Sequence, residues 1–137
     1  MIRTAAAIAA SALLLFGCSP VEADEPFVSD APMASVTGEA VSCISTASIR
    51  RSSVHDDRTI DFAVGSRTYR NTLSPGCSRL GFEKAFTYQT STSQLCSGEI
   101  IYVLSNIGGR PERGPGCSLG EFVPIDYVDR DIDTMQQ

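Results

Sequence analysis

The sequence predicts an all-β domain: a small antiparallel barrel or sandwich of about five or six short strands, stapled by two disulfides. Three observations predict it. A period-two hairpin pattern runs from Thr59 to Leu73, no long amphipathic helix pattern appears between Cys43 and Ile125, and Cys43, Cys77, Cys96 and Cys117 form an even set of thiols. At 137 residues, 42% hydrophobic and 20% charged, the chain suits one small domain. It excludes a multidomain enzyme, a polytopic membrane protein, a collagen-like repeat and a wholly disordered chain.

The hairpin is the strongest local signal. Ile60, Phe62 and Val64 alternate with Asp61 and Ala63, then Gly65-Ser66 supplies a two-residue type II′ connection into Arg67-Thr68-Tyr69-Arg70-Asn71-Thr72-Leu73. That register sets Phe62 opposite Tyr69 on a packed face and Asp61 opposite Arg70 on a charged one. Upstream, Ile49 to Val54 reads as a strand, with His55-Asp56-Asp57-Arg58 turning into the hairpin. Downstream, Phe82, Lys84, Phe86 and Tyr88 share one parity and predict a strand, and Ile100 to Leu104 reads as a central strand. Gly108 to Gly116 holds four Gly and two Pro and reads as a loop, followed by a last short strand over Leu119 to Ile125 with Pro124 at its edge.

The chain divides into four parts. Residues 1–17 have the pattern of a signal peptide: Arg3, then an apolar run from Ala5 to Phe16 that is too short to span a bilayer. Leu15-Phe16-Gly17-Cys18 resembles the bacterial lipobox, which implies a diacylglycerol on Cys18 and accounts for the odd fifth cysteine. Ser19 then implies outer-membrane sorting, by resemblance to enterobacterial lipoproteins. Residues 18–41 read as a lipidated Cys with an acidic flexible linker that holds the domain off the bilayer. Residues 42–125 form the β-domain, and 126–137 an acidic tail that frays. Nine bases against seven acids leave the segment 42–125 at +2, although the whole chain is −5. That is far from the footprint of a nucleic-acid binder.

Four cysteines allow three pairings, and the nested one, Cys43 with Cys117 and Cys77 with Cys96, is expected because it joins the domain's ends and clips one internal excursion. Spacings of 34, 19 and 21 residues and a single imidazole, His55, argue against a zinc site, and no C-x-x-C redox pair is present. No cofactor or metal is expected.

Few side chains suggest chemistry. Gly116-Cys117-Ser118-Leu119-Gly120 matches the nucleophile-elbow pattern but lacks its strand-turn-helix context. Asp129, Asp131 and Asp133 begin like a calcium loop, yet Thr134 stands where Gly is required and the chain ends at Gln137. His55 beside Asp56 and Asp57 offers a base with carboxylates, although neighbours along a turn are poorly placed to orient an imidazole. Among the arginines, the hairpin register separates Arg67 from Arg70, and Arg50, Arg51 and Arg58 form no single patch with them. Arg110 and Arg113, in the expected Gly/Pro loop, are the candidates for binding an anion.

Cys43, Ile49-Arg50, Asp56 to Ile60, Leu73, Cys77, Leu80, Cys96 and Cys117-Ser118-Leu119 leading to Phe122 resemble a family of small uncharacterised proteobacterial exported proteins and lipoproteins that share a four-cysteine domain of unknown function. The resemblance covers Cys43 to Ile125 and implies the architecture without an activity or catalytic residues. The expected function is a non-catalytic binding or structural module. It would be lipid-anchored in the envelope, face the periplasm, bind an envelope protein or an anionic envelope component, and bind no nucleic acid. The alternative is a small hydrolase-like envelope enzyme using His55 with Asp56 or Asp57.

Overall fold

The computed structural model describes residues 26–129. The expected signal peptide, Cys18, Ser19 and the chain from residue 130, with Asp131 and Asp133, lie outside the described residues. The fold is all-β and sandwich-like, with ten strands among the described residues where five or six are expected. They are β1 (Ala34–Val36), β2 (Cys43–Ser45), β3 (Ile49–Val54), β4 (Thr59–Val64), β5 (Arg67–Thr72), β6 (Phe86–Tyr88), β7 (Gln94–Cys96), β8 (Ile100–Ile107), β9 (Arg110–Ser118) and β10 (Phe122–Tyr127). A short α-helix, α1 (Leu80–Glu83), lies between β5 and β6, and a 3-10 turn covers Thr46–Ser48 between β2 and β3.

A five-stranded antiparallel sheet in the order β1-β10-β5-β4-β3 forms one layer. The antiparallel sheets β6-β8-β9 and β2-β7 supply apolar side chains to the other side of a common core. The hairpin register is the one the alternation predicts: Phe62 faces Tyr69 and Asp61 faces Arg70. Gly65 has φ +59°, as the first position of a type II′ turn requires. Ile60, Phe62 and Phe122 from the large sheet meet Ile101 and Val103 of β8, Ile44 of β2 and Leu95 of β7. The Phe62 ring packs edge-to-face on Phe122 at 5.5 Å and on Phe86 of β6 at 6.1 Å, which joins the layers.

Several expectations are corrected. The disulfides are Cys43–Cys96 and Cys77–Cys117, not the nested pair. Cys43 and Cys96 are register partners in the β2–β7 ladder, whereas Cys77 leaves the large sheet after β5 and meets Cys117 on β9. The stretch Gly108 to Gly116 is not a loop. Gly108 and Gly109, at φ +61° and +80°, make the tight turn of a hairpin, and the rest is β9. As an edge strand with a register shift opposite Tyr102 to Leu104, β9 tolerates Pro111 and Pro115. The expected strand around Phe82 is instead α1, closed by Lys84 in the left-handed region, and only Phe86–Tyr88 extends.

The expected flexible linker is folded over much of its length. Ala34–Val36 pairs with β10, Val41 bridges Phe122, and Ser29 bonds to Asp56. The tail likewise begins later than Asp126, since β10 runs to Tyr127 and the Val128 N–H bonds to the Met33 carbonyl. Pro124 sits inside β10 without breaking its ladder to β5. Its carbonyl accepts the Thr37 N–H, so the side of the residue that lacks a donor faces the segment beyond β1 rather than β5.

Candidate functional site

The densest polar arrangement is centred on Asp61, in the middle of β4. Its parity points it away from the core, yet it is only 2% exposed, because Arg70, Tyr127 and the segment around Pro32 cover it. Arg70 Nε donates to Oδ1 at 2.8 Å, and Arg70 Nη2 donates both to Oδ2 at 2.9 Å and to the Pro32 carbonyl at 2.9 Å. The Tyr127 hydroxyl donates to Oδ2 at 2.8 Å, and His55 Nε2 lies 2.8 Å from the same oxygen. Burial alone pushes the Asp61 carboxyl up; the bonds from Arg70, Tyr127 and His55 outweigh it and hold the carboxyl below its ordinary value. An ionised carboxylate only accepts, so Nε2 carries the proton of the His55 contact. Four donors thus converge on the carboxylate, three of them on Oδ2 and one on Oδ1.

His55 therefore has a carboxylate partner, but it is neither of its sequence neighbours. Asp56 points to the N-terminal segment, its Oδ2 accepting Ser29 Oγ at 2.6 Å and the Asp30 N–H at 3.0 Å, while its Oδ1 accepts the Arg58 N–H at 2.8 Å. Burial raises the Asp56 carboxyl, and the bonds from Ser29, Arg58, Thr59 and Asp30 more than reverse this, leaving it lowered. Asp57 accepts the Gly81 N–H at 2.7 Å and so fastens α1 to the turn. A Cβ on Gly81 would lie 3.0 Å from the Asp56 and Asp57 backbone, so a side chain there would press against the turn. The sequence does hold a signal for the true partner. Once the turn pairs His55 with Thr59, Asp61 is the same-face diagonal neighbour of His55.

The chemistry open to this arrangement is limited. A carboxylate that orients an imidazole can also stabilise its protonated form, but here the Arg70 guanidinium already offsets the Asp61 charge. No hydroxyl or thiol is hydrogen-bonded to His55 among the described residues. A depression of about 320 Å³ adjoins it, lined by Phe27, Asp30, His55, Asp56, Asp57, Gly81 and Lys84. No group of three or more potential metal ligands occurs among the described residues.

The other candidates do not converge. Arg110 and Arg113 are three residues apart on regular β9, facing Ile107 and Leu104, so they lie on opposite faces. Arg113 stacks on the Tyr102 ring at 4.6 Å, whereas Arg110 flanks the Gly108–Gly109 turn. Cys117 and Ser118 end β9 rather than form a nucleophile elbow. Gly120 has a packing reason of its own. Its N–H and C=O bond to the Asn71 side chain at 2.9 and 2.7 Å, and a Cβ there would lie 2.3 Å from the Thr72 carbonyl oxygen. Arg50 and Arg51 flank a depression at the β3 edge with Ala63. No protein-family model, curated protein or solved structure matches the chain.

Proposed function

We propose that the chain is a lipid-anchored cell-envelope protein whose disulfide-stapled β-domain faces the periplasm as a non-catalytic binding or structural module. The pair of disulfides carries this reading. Each closes a long stretch of chain, with sequence separations of 53 and 40, and such bonds persist in oxidising compartments. The apolar leader and Leu15-Phe16-Gly17-Cys18 agree with export and lipidation, and Ser19 with the outer membrane. The neutralised Asp61–Arg70 pair behind His55 favours binding over catalysis. The partner is an envelope protein or an anionic envelope component.

The His55–Asp61 contact at 2.8 Å favours a second reading, a small hydrolase-like enzyme in which Asp61, rather than Asp56 or Asp57, orients the imidazole. Intact-mass analysis of the protein from the membrane fraction, with and without reduction, tests the first reading. It predicts cleavage before Cys18, added acyl chains and a gain of four hydrogens on reduction. A phenotype abolished by His55→Ala in a folded protein would favour the enzyme.

A further inference from the structure

Phe27, Val28 and Phe82 are large apolar side chains with 47%, 83% and 81% of their surface exposed. Phe27 and Phe82 belong to one region, and Val28 follows Phe27 along the chain. Phe27, Gly81 and Lys84 line the same depression, and Phe82 follows Gly81 on α1. Arg58 stacks over the Phe27 ring at 4.8 Å and Arg79 over the Phe82 ring at 5.9 Å. The support is braced: Asp57 accepts the Gly81 N–H, and Lys84 Nζ donates to the His55 carbonyl. Isolated exposed hydrophobic residues are ordinary, but several gathered on a fixed support mark a contact surface.

Charge narrows the choice of partner. Arg58, Arg79 and Lys84 stand against four acids, Asp30, Asp56, Asp57 and Glu83, and Glu83 already pairs with Arg79. The region is therefore not an anion-seeking patch. It is apolar at the centre, with cationic groups lying over two of its aromatic rings.

Position narrows it further. Because residues 29–41 are bound to the domain, the stretch available as a tether ends near Phe27, nine residues after Cys18. At about 3.4 Å per residue, a lipid on Cys18 keeps Phe27 within about 30 Å of the bilayer. We propose that Phe27, Val28 and Phe82 form a face that docks on a phospholipid bilayer. The three side chains enter the headgroup region, and Arg58, Arg79 and Lys84 reach the phosphate level. The proposal rests on the lipid-anchor reading for its attachment, since a few side chains alone hold a domain only weakly.

The chain contains no Trp, so a single introduced indole reports on its own position. Full-length Phe82→Trp is compared with Ser66→Trp, whose site lies at the β4–β5 turn, a strand length of roughly 20 Å from the 55–58 turn. Each protein is extracted from membranes, weighed intact for acylation, and reconstituted into vesicles of phosphatidylethanolamine and phosphatidylcholine. Emission from position 82 is expected to shift to the blue and to be quenched by brominated lipid, with no such response at position 66. Adding Phe27→Ser and Val28→Ser to Phe82→Trp should at least halve the quenching. An unquenched, water-like position 82 overturns the docking face whatever the mass, as does equal quenching at both positions. A mass without acyl chains alongside selective quenching overturns the anchor and supports the face.

Discussion

Asp61 lies directly opposite Arg70 across the β4–β5 pair, and the guanidinium reaches both carboxylate oxygens, at 2.8 and 2.9 Å. The two charges are held where water is scarce, so each depends on the other. A bidentate guanidinium-carboxylate pair also fixes geometry, and here it links β4 and β5 to the Pro32 carbonyl of the N-terminal segment.

Removing Arg70 leaves the Asp61 charge buried with two neutral-type donors. Arg70→Ala is expected to cost about 3 kcal/mol in urea unfolding at neutral pH. Arg70→Lys keeps the charge but not the fork and should cost less than Arg70→Ala. Equal stability of Arg70→Ala and the parent would show that the pair does not contribute as described.

Stability should fall at both ends of the pH scale. Asp61 and Asp56 have lowered carboxyl values, so their contribution is full above the unfolded value of about 4 and is lost as pH falls through the lower folded values. Tyr127 has the opposite sign. Burial and the hydrogen bond to Asp61 push its hydroxyl up to about 12, so its contribution is full below about pH 10 and is lost between there and about 12. Urea midpoints across that range should decline on both limbs. Tyr127→Phe should flatten the alkaline limb, and Asp61→Asn the acid one.

Gly120 and Asn71 form a buried lock between β5 and the segment before β10. Gly120→Ala drives a methyl group into the Thr72 carbonyl, and a loss of about 3 kcal/mol is expected. Asn71→Ala should cost about 2 kcal/mol by leaving the Gly120 backbone groups unpaired. Thermal or urea unfolding checks both, and a neutral Gly120→Ala would contradict the close approach.

Asp56 fastens the N-terminal segment. Asp56→Ala removes the acceptor of Ser29 Oγ and the Asp30 N–H, so amide exchange at residues 29–31 should accelerate while β4 amides stay protected. Equal protection at residues 29–31 in parent and variant would show that other contacts hold the segment.

The hairpin register, the β3 strand and β8 are legible in the sequence because alternation and turn chemistry agree there. β9 is not, since Gly108 to Gly116 has the composition of a loop and only edge position and a register shift make it a strand. β1 is three residues long and too short to display a period, so its acidic surroundings read as linker. Disulfide pairing is a tertiary property: nothing in the spacing reveals that Cys43 and Cys96 are register partners. At the site, parity places Asp61 with Arg70, but its burial depends on Tyr127, sixty-six residues away. The His55–Asp61 contact is readable only after the turn pairing is known.

The most direct test is thiol trapping in living cells, with alkylation before lysis, fractionation and non-reducing peptide mapping. The expected result is a membrane-fraction protein with Cys43 joined to Cys96, Cys77 joined to Cys117, and a diacylglycerol thioether on Cys18. Recovery of the folded protein from the cytosol with Cys43, Cys77, Cys96 and Cys117 all alkylated would contradict it.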